Sequence, residues 1–322
     1  MIAGVRLANP LVLASGVWGT TPDLLERAAR AGAGAVTAKT CTPGPRRGHR
    51  NPTVVDWGHG LLNAMGLPNP GAAEEADLLA EVVSRLAPLG VPVIASIAAD
   101  TVEGFAAAAV AVARARPDLL EANISCPNVA SEAGEMFAAS AGAAAEVTRA
   151  VKRATAIPCL VKLSPNVPDI AAIARAVAAA GADGITAINT MPGMLVDAES
   201  GSPVLANRSG GISGPALKPV ALRCVYEVSG AVAIPVVGTG GVASGLDAIE
   251  MLSVGAAAVG VGSAVGAQGE GAFARILAEM ERWMAGHGFD SLDPVRGRAH
   301  RTSRPAAETN RPPVPGWRPR EG

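Results

Sequence analysis

Short apolar runs recur eight times along the 322-residue chain, each followed by a Gly- or Pro-containing turn and a helical pattern, and this recurrence restricts the fold more than any other feature. The runs are "LVLAS" at 11–15, "AVTAKT" at 35–40, "PVIASI" at 92–97 and "LLEANIS" at 119–125. They continue with "CLVKLS" at 159–164, "GITAIN" at 184–189, "PVVGTG" at 235–240 and "AAVGVGS" at 257–263. Helical patterns fall at 22–31, 73–87, 103–115, 141–154, 169–180, 216–229, 245–254 and 270–285. Near-continuously apolar strands alternating with helices require a parallel sheet covered by helices, and eight such units predict closure into a (β/α)8 TIM barrel of the α/β class. An open doubly wound sheet is the alternative, but no G-x-G-x-x-G turn follows the first strand.

Two connections, 41–72 and 190–215, are too long for simple turns, and long loops on the catalytic face of a barrel usually bind or cover something. The barrel domain is expected over residues 1–290. Residues 291–322, which lead into "RGRAHRTSRPAAETNRPPVPGWRPREG", are expected to form a disordered Arg/Pro-rich tail, because they lack apolar periodicity.

Composition narrows the function classes. Lys plus Arg number 27 against 28 for Asp plus Glu, so net charge makes no case for nucleic acid or an anionic membrane. With 3% aromatic residues, base stacking is not indicated either. The four cysteines, Cys41, Cys126, Cys159 and Cys224, form no C-x-x-C pair, which argues against a zinc or iron–sulfur site within the chain. No apolar run is long enough to span a bilayer, and "MIAGVRLANP" has no signal-peptide apolar core, so a cytoplasmic protein is expected.

A barrel gathers its strand C-termini on one face, where active sites are assembled. The strand ends contribute Ser15 and Gly16, Lys39 and Thr40, Ser96, then Asn123 and Ser125. The later four contribute Lys162 and Ser164, Asn189 and Thr190, Gly240 and Gly241, then Gly262 and Ser263. Two lysines at the ends of apolar strands are costly to bury unless they meet an anion or a rich acceptor, so they predict an electron-rich ligand. The glycine-rich turns "VVGTGGV" and "VGVGSAV", entering helices near 245 and 270, suit a phosphate held by backbone N–H groups. The "LLEANISCPN" segment ends a buried run on amides, a hydroxyl and a thiol. Amides suit a planar hydrogen-bonding substrate, and Cys126 just beyond the strand end can carry a proton. Cys159 and Cys224 read as small core hydrophobes, and Cys41 as packing.

Together "KTCTPGPRRGHRNPT", "GLLNAMGLPNPG", "ANISCPNV", "LVKLSPNV", "GADGITAINT", "LANRSGGISGPALKPVALR", "VVGTGGV" and "AVGVGSA" resemble, in order and over residues 4–290, the catalytic subunit of class 1 dihydroorotate dehydrogenases. The long "GMLVDAESGSPVLANRSGGISGPALKPVALR" segment resembles class 1B. The resemblance implies an FMN-bound barrel that oxidises dihydroorotate to orotate in pyrimidine synthesis. Cys126 matches the base that removes the C5 proton while hydride leaves C6 for the flavin N5. Asn63, Asn123, Asn128 and Asn189 match the asparagines that hold the pyrimidine ring and its carboxylate, with Thr190 taken into the same set. Lys39 matches the lysine beside flavin and substrate, and Lys162 the lysine near flavin N1. Ser15, Gly16, Thr40 and Asn123 correspond to residues along the isoalloxazine, and Gly214, Gly240, Gly241, Gly262 and Ser263 to the phosphate cradle. A homodimer is implied, joined by a second subunit carrying FAD and a [2Fe-2S] cluster, with NAD as final acceptor; some class 1 enzymes use fumarate instead. The segment "ASEAGEMFAASAGAAAE" departs from the glycine-rich loop usual in class 1B. A pyrimidine-reducing module of the dihydropyrimidine dehydrogenase kind, and a flavin-binding scaffold subunit without activity, are the alternatives.

Overall fold

A strand that is apolar on both faces must be covered on both sides and paired at both edges, and the chain meets that demand by closing a ring. The computed structural model describes residues 1–125 and 137–301. In chain order the strands are β1 (Leu11–Leu13), β2 (Ala35–Thr37), β3 (Val54–Asp56), β4 (Leu61–Asn63), β5 (Val93–Ile97) and β6 (Leu119–Asn123). They continue with β7 (Cys159–Leu163), β8 (Gly184–Ala187), β9 (Met191–Met194), β10 (Ser209–Ser213), β11 (Val236–Thr239) and β12 (Ala258–Val261). Eight of them close a parallel barrel in the order β1-β12-β11-β8-β7-β6-β5-β2, so the expected (β/α)8 barrel is the fold observed.

The surrounding helices are α1 (Pro22–Arg30), α2 (Ala72–Leu86), α3 (Val102–Ala113), α4 (Ala141–Ala154), α5 (Ile170–Ala179), α6 (Lys218–Ala231) and α7 (Gly245–Ser253). Then follow α8 (Ser263–Gln268), α9 (Gly271–Gly286) and α10 (Arg298–Arg301). Several start where a short polar side chain can satisfy a free N–H: Thr21, Thr101, Ser140, Asp169 and Ser244 accept from the third residue beyond them. The last unit differs from the sequence expectation. A short helix, α8, begins at Ser263 directly after β12, ahead of the longer α9.

The lumen changes character along the strands. Side chains alternate between faces, so positions two apart share the interior. Val12, Ala35, Ile94, Leu119, Leu160, Val237 and Ala258 form one apolar cluster with Ile2 that plugs the end where the strands begin. Two residues further along, the same faces carry Thr37, Ser96, Glu121, Lys162 and Thr239, with Thr186 at the matching level of β8. The alternate residues, among them Val36, Ala95, Leu120, Val161 and Ile185, belong to the larger core beneath the helices.

The two long connections, 41–72 and 190–215, fold into a second sheet. It is antiparallel, in the order β3-β4-β10-β9, with Gly211 opposite Asn63 and Gly193 opposite Gly210. The sequence gives it no strand signal, because its strands are short and half-exposed, and β9 and β10 carry Gly and Pro.

The ordered chain also passes residue 290. Val295 is fully buried, Phe289 and Leu292 pack on the core, and His300 of α10 stacks on Tyr226 with ring centroids 4.0 Å apart. The tail boundary at 291 is therefore corrected for residues 291–301. An i, i+3 apolar pair, Leu292 and Val295, is too short a signal to separate from the polar sequence around it. Residues 302–322 lie outside the described part, and no helix among the described residues is long and apolar enough to cross a membrane.

The core beneath α3 generates a stability prediction. Phe105 is fully buried and meets Phe137 edge-on at 5.7 Å. Phe105→Ala removes that contact and leaves a cavity, so urea unfolding is expected to give a loss of about 3–5 kcal/mol.

Candidate active site

The polar ends of the barrel strands and the inner side of the second sheet enclose one cavity of about 540 Å³, within the range of small-molecule and cofactor sites. Ser15 and Gly16 enter it after β1, Lys39 and Thr40 after β2, Asn123 and Lys162 from β6 and β7, and Asn189 and Thr190 after β8. Gly240 and Gly241 line it after β11, and Gly262 and Ser263 after β12. From outside the barrel come Asn63 on β4 and Gly214 after β10. The described residues predicted to bind substrate or cofactor thus line the same space, whereas the strand-end hydroxyls Ser96, Ser125 and Ser164 do not line it. Cys126 and Asn128 lie outside the described residues, as does most of the "ASEAGEMFAAS" segment.

The amides are held rather than free to rotate. Asn189 Nδ2 donates to Ser125 Oγ at 2.8 Å and to Asn123 Oδ1 at 3.3 Å, and Ser125 Oγ donates to the same Asn123 oxygen at 3.0 Å. The Thr190 backbone N–H donates to Asn189 Oδ1 at 2.8 Å, and Asn63 Nδ2 donates to the Gly211 carbonyl at 3.1 Å. Ser125 is thus a strut for two of the amides. This fixes which face each amide turns to the cavity, as recognition of a planar ligand requires.

Below them runs a chain of hydroxyls. Ser15 Oγ donates to the Ala38 carbonyl at 3.0 Å and lies 3.1 Å from Thr40 Oγ1, which lies 2.9 Å from Ser96 Oγ. Ser96 Oγ donates to Glu121 Oε1 at 3.2 Å, and Thr186 Oγ1 donates to Glu121 Oε2 at 2.9 Å. Lys162 Nζ stands 3.9 Å from Glu121 Oε1, with both residues buried, at 6% and 4% exposure. Lys39 is also buried.

Sequence reading missed Glu121, Thr186 and Thr239. The signal for the first was present, a charge inside the apolar run "LLEAN", but attention to strand ends passed over it. Thr239 Oγ1 is buried without a hydrogen-bond partner beside the cavity that Thr239 lines, the mark of a site that expects a ligand or water. At Gly241, φ is +77°, and a Cβ would stand 2.6 Å from the backbone of Lys218. Only glycine lets this turn pass so close to the start of α6.

Cys41, Cys159 and Cys224 are buried, and burial is the first cause that pushes each thiol up, Cys159 to about 12. They are inert fillers by that measure.

Two strand-end ammonium groups, oriented amides and glycine turns in one enclosed space define a barrel of the cofactor-binding, ligand-transforming kind. A family model described as dihydroorotate dehydrogenase matches residues 1–284. Dihydroorotate dehydrogenase B (NAD(+)), catalytic subunit, from Methanosarcina mazei is 46% identical over 303 residues, covering 93% of this chain and 94% of that protein. Proteins of the same description from Geobacillus kaustophilus and Pyrococcus abyssi are 46% and 43% identical, covering 82% and 92% of this chain and 83% and 97% of their own. The chain belongs to the dihydroorotate dehydrogenase family, and the class 1B resemblance agrees with these relatives.

Glu75 yields a pH prediction. It is buried in the first turn of α2, and burial raises its pKa to about 7, against a lowering by the Lys39 charge and a smaller raising by Glu74. Between its ordinary value and about 7 the folded state holds a proton that the unfolded chain releases, so this group's contribution to stability falls as pH rises through that window. Glu75→Gln should flatten the decline, with a gain of about 1–3 kcal/mol over the parent above pH 8, read from urea unfolding at stepped pH. A parallel pH profile in both proteins would contradict it.

Proposed function

We propose that this chain oxidises dihydroorotate to orotate as the FMN-carrying catalytic subunit of an enzyme that delivers electrons to NAD through a second subunit. The observation that carries the reading is the convergence of Lys39, Lys162, three asparagines and the glycine turns on one enclosed cavity from strands far apart in sequence. Dihydroorotate dehydrogenases are flavin-dependent as a family, and the cavity suits FMN. It is long enough to run from the amides and lysines to the turns after β11 and β12, and it mixes apolar with polar lining. The unpartnered Thr239 hydroxyl and the close backbone at Gly241 lie toward its glycine-rich end.

When bound, FMN would accept the hydride that leaves C6 of the substrate. The chain's own part is positional and acid–base. Cys126 takes the C5 proton on its sulfur as the C5=C6 double bond forms, a role that a thiol fills far better than a hydroxyl near neutral pH. Asn63, Asn123, Asn128 and Asn189, with Thr190, hold the ring and its carboxylate, and the fixed amide orientations favour one pose. Lys39 would stand beside substrate and cofactor. Lys162 would supply positive charge that favours the reduced cofactor, near N1. Ser15, Gly16 and Thr40 would hold the isoalloxazine, while Gly214, Gly240, Gly241, Gly262 and Ser263 would hold the ribityl phosphate.

The relatives are described as the catalytic subunit of an NAD(+) enzyme, which implies a partner subunit. The proposed partner carries FAD and a [2Fe-2S] cluster and binds a homodimer of this chain in the cytoplasm.

An anaerobic absorbance spectrum of the purified chain tests the reading. A flavin band that bleaches on addition of dihydroorotate is expected; a band that bleaches only with dihydrouracil, or not at all, refutes it. Cys126→Ser should slow that bleaching about 10²–10⁴-fold at pH 7 in stopped flow, with flavin content unchanged. The isolated chain should reduce NAD at a negligible rate, and full-rate NAD reduction without a partner would count against the second subunit.

A further inference from the structure

Lys162 shares the barrel lumen with a buried acid that no part of the proposed chemistry uses. Glu121 lies on β6, opposite Ser96 of β5, and Lys162 on β7, opposite Thr186 of β8. The four side chains meet in the lumen through the two hydroxyl bonds to Glu121 and its approach to Lys162, beside the cavity that Lys162 and Asn123 line.

The way the carboxylate is held is informative. Each of its oxygens accepts from a neutral hydroxyl, Ser96 Oγ at 3.2 Å from the adjacent strand β5 and Thr186 Oγ1 at 2.9 Å from β8, on the far side of β7. The ammonium is further away, 3.9 Å from Oε1. A direct charge-assisted bond would be about 2.7–2.9 Å long. Two clamps therefore keep the carboxylate short of full contact, leaving Lys162 with donors for something above it. Stability alone explains the pair poorly, because an apolar pair of similar volume is often as stable or more so.

We propose that Glu121 is a positioning residue that holds the Lys162 ammonium at the floor of the cavity and offsets part of its charge, thereby setting the reduction potential of the bound flavin. This inference rests on the reading that FMN lies over Lys162. A flavin gains negative charge on reduction, a cation beneath it favours that state, and a carboxylate behind the cation opposes it. Ser96 and Thr186 fix the distance, and the Ser96 hydroxyl ties the clamp through Thr40 to Ser15 and Asn123 at the cavity wall.

The test is an anaerobic redox titration of flavin-loaded protein against a dye of known potential, with the parent, Glu121→Gln, Lys162→Met and the double variant. Glu121→Gln keeps shape and removes charge, so the reduced-to-oxidised ratio at fixed poise should rise about tenfold, about 30 mV for a two-electron couple. Lys162→Met should shift the ratio the other way, and in that background the effect of Glu121→Gln should shrink to less than about threefold. An unchanged potential in Glu121→Gln, beside a lowered one in Lys162→Met, overturns the role of Glu121 and leaves the placement of the flavin standing. Flavin-loaded protein whose potential neither substitution moves overturns that placement, and this inference with it. If Glu121→Gln does not accumulate as folded protein, Glu121→Asp carries the test. Its shorter side chain draws the charge back from Nζ, a smaller rise is expected, and a parental potential overturns the proposal.

Discussion

A closed parallel barrel leaves its interior side chains no route to bulk water, and every charged group placed there must find its partners within the ring. In this chain that constraint organises the site. The lumen is apolar where the strands begin, with Ile94, Leu119, Leu160 and Val237, and turns polar two residues on, with Ser96, Glu121, Lys162 and Thr239. The first level seals the floor. The second joins its groups by hydrogen bonds from β5 and β8 to Glu121 on β6, and its Lys162 and Thr239 line the cavity together with Lys39 and Asn123 beyond them. Asn123 and Lys162 stand opposite each other in the strand register, so this amide and this ammonium group are placed by the barrel backbone rather than by loop conformation.

The second sheet supplies what a bare barrel mouth lacks. The long connections after β2 and β8 pair as β4 with β10, which sets Asn63 against Gly211 and brings Val54, Leu61 and Pro192 over the cavity. Gly211 has no room for a side chain, since a Cβ there would fall 2.1 Å from Thr190 Oγ1. Roof and floor are thereby joined at the edge of the site, where Thr190 also bonds Asn189. Covering the barrel mouth in this way lowers the local dielectric, which strengthens electrostatic contacts inside the cavity.

Much of this was legible in the sequence, for identifiable reasons. The eight apolar runs gave the barrel because a parallel strand buried on both faces needs no partner to be recognised, and strand ends such as Lys39, Asn123 and Asn189 indicated the cavity because barrel topology gathers them. What escaped depends on partners distant in sequence. The strands at 54–56, 61–63, 191–194 and 209–213 have no apolar period of their own and exist through each other. Glu121 reads as an oddity in "LLEAN" until Ser96, 25 residues before it, and Thr186, 65 residues after it, are known to donate to its two oxygens. Val295 escaped because its burial depends on the core formed by elements far upstream.

The two lysines of the cavity are accompanied by acids in different ways, and the contrast bears on how the site keeps its charge. Glu121 is inside the lumen with a hydroxyl on each oxygen, an arrangement that suits a carboxylate at fixed distance from Lys162. Glu75 comes from α2, outside the barrel wall, and burial pushes its pKa up to about 7 despite the Lys39 charge. Near neutrality Glu75 is only partly charged and offsets Lys39 weakly, whereas the hydroxyl clamp holds Glu121 within reach of Lys162. The two lysines of one cavity are thus accompanied by acids of different origin, one held by hydroxyls inside the lumen and one brought by a helix outside the barrel wall.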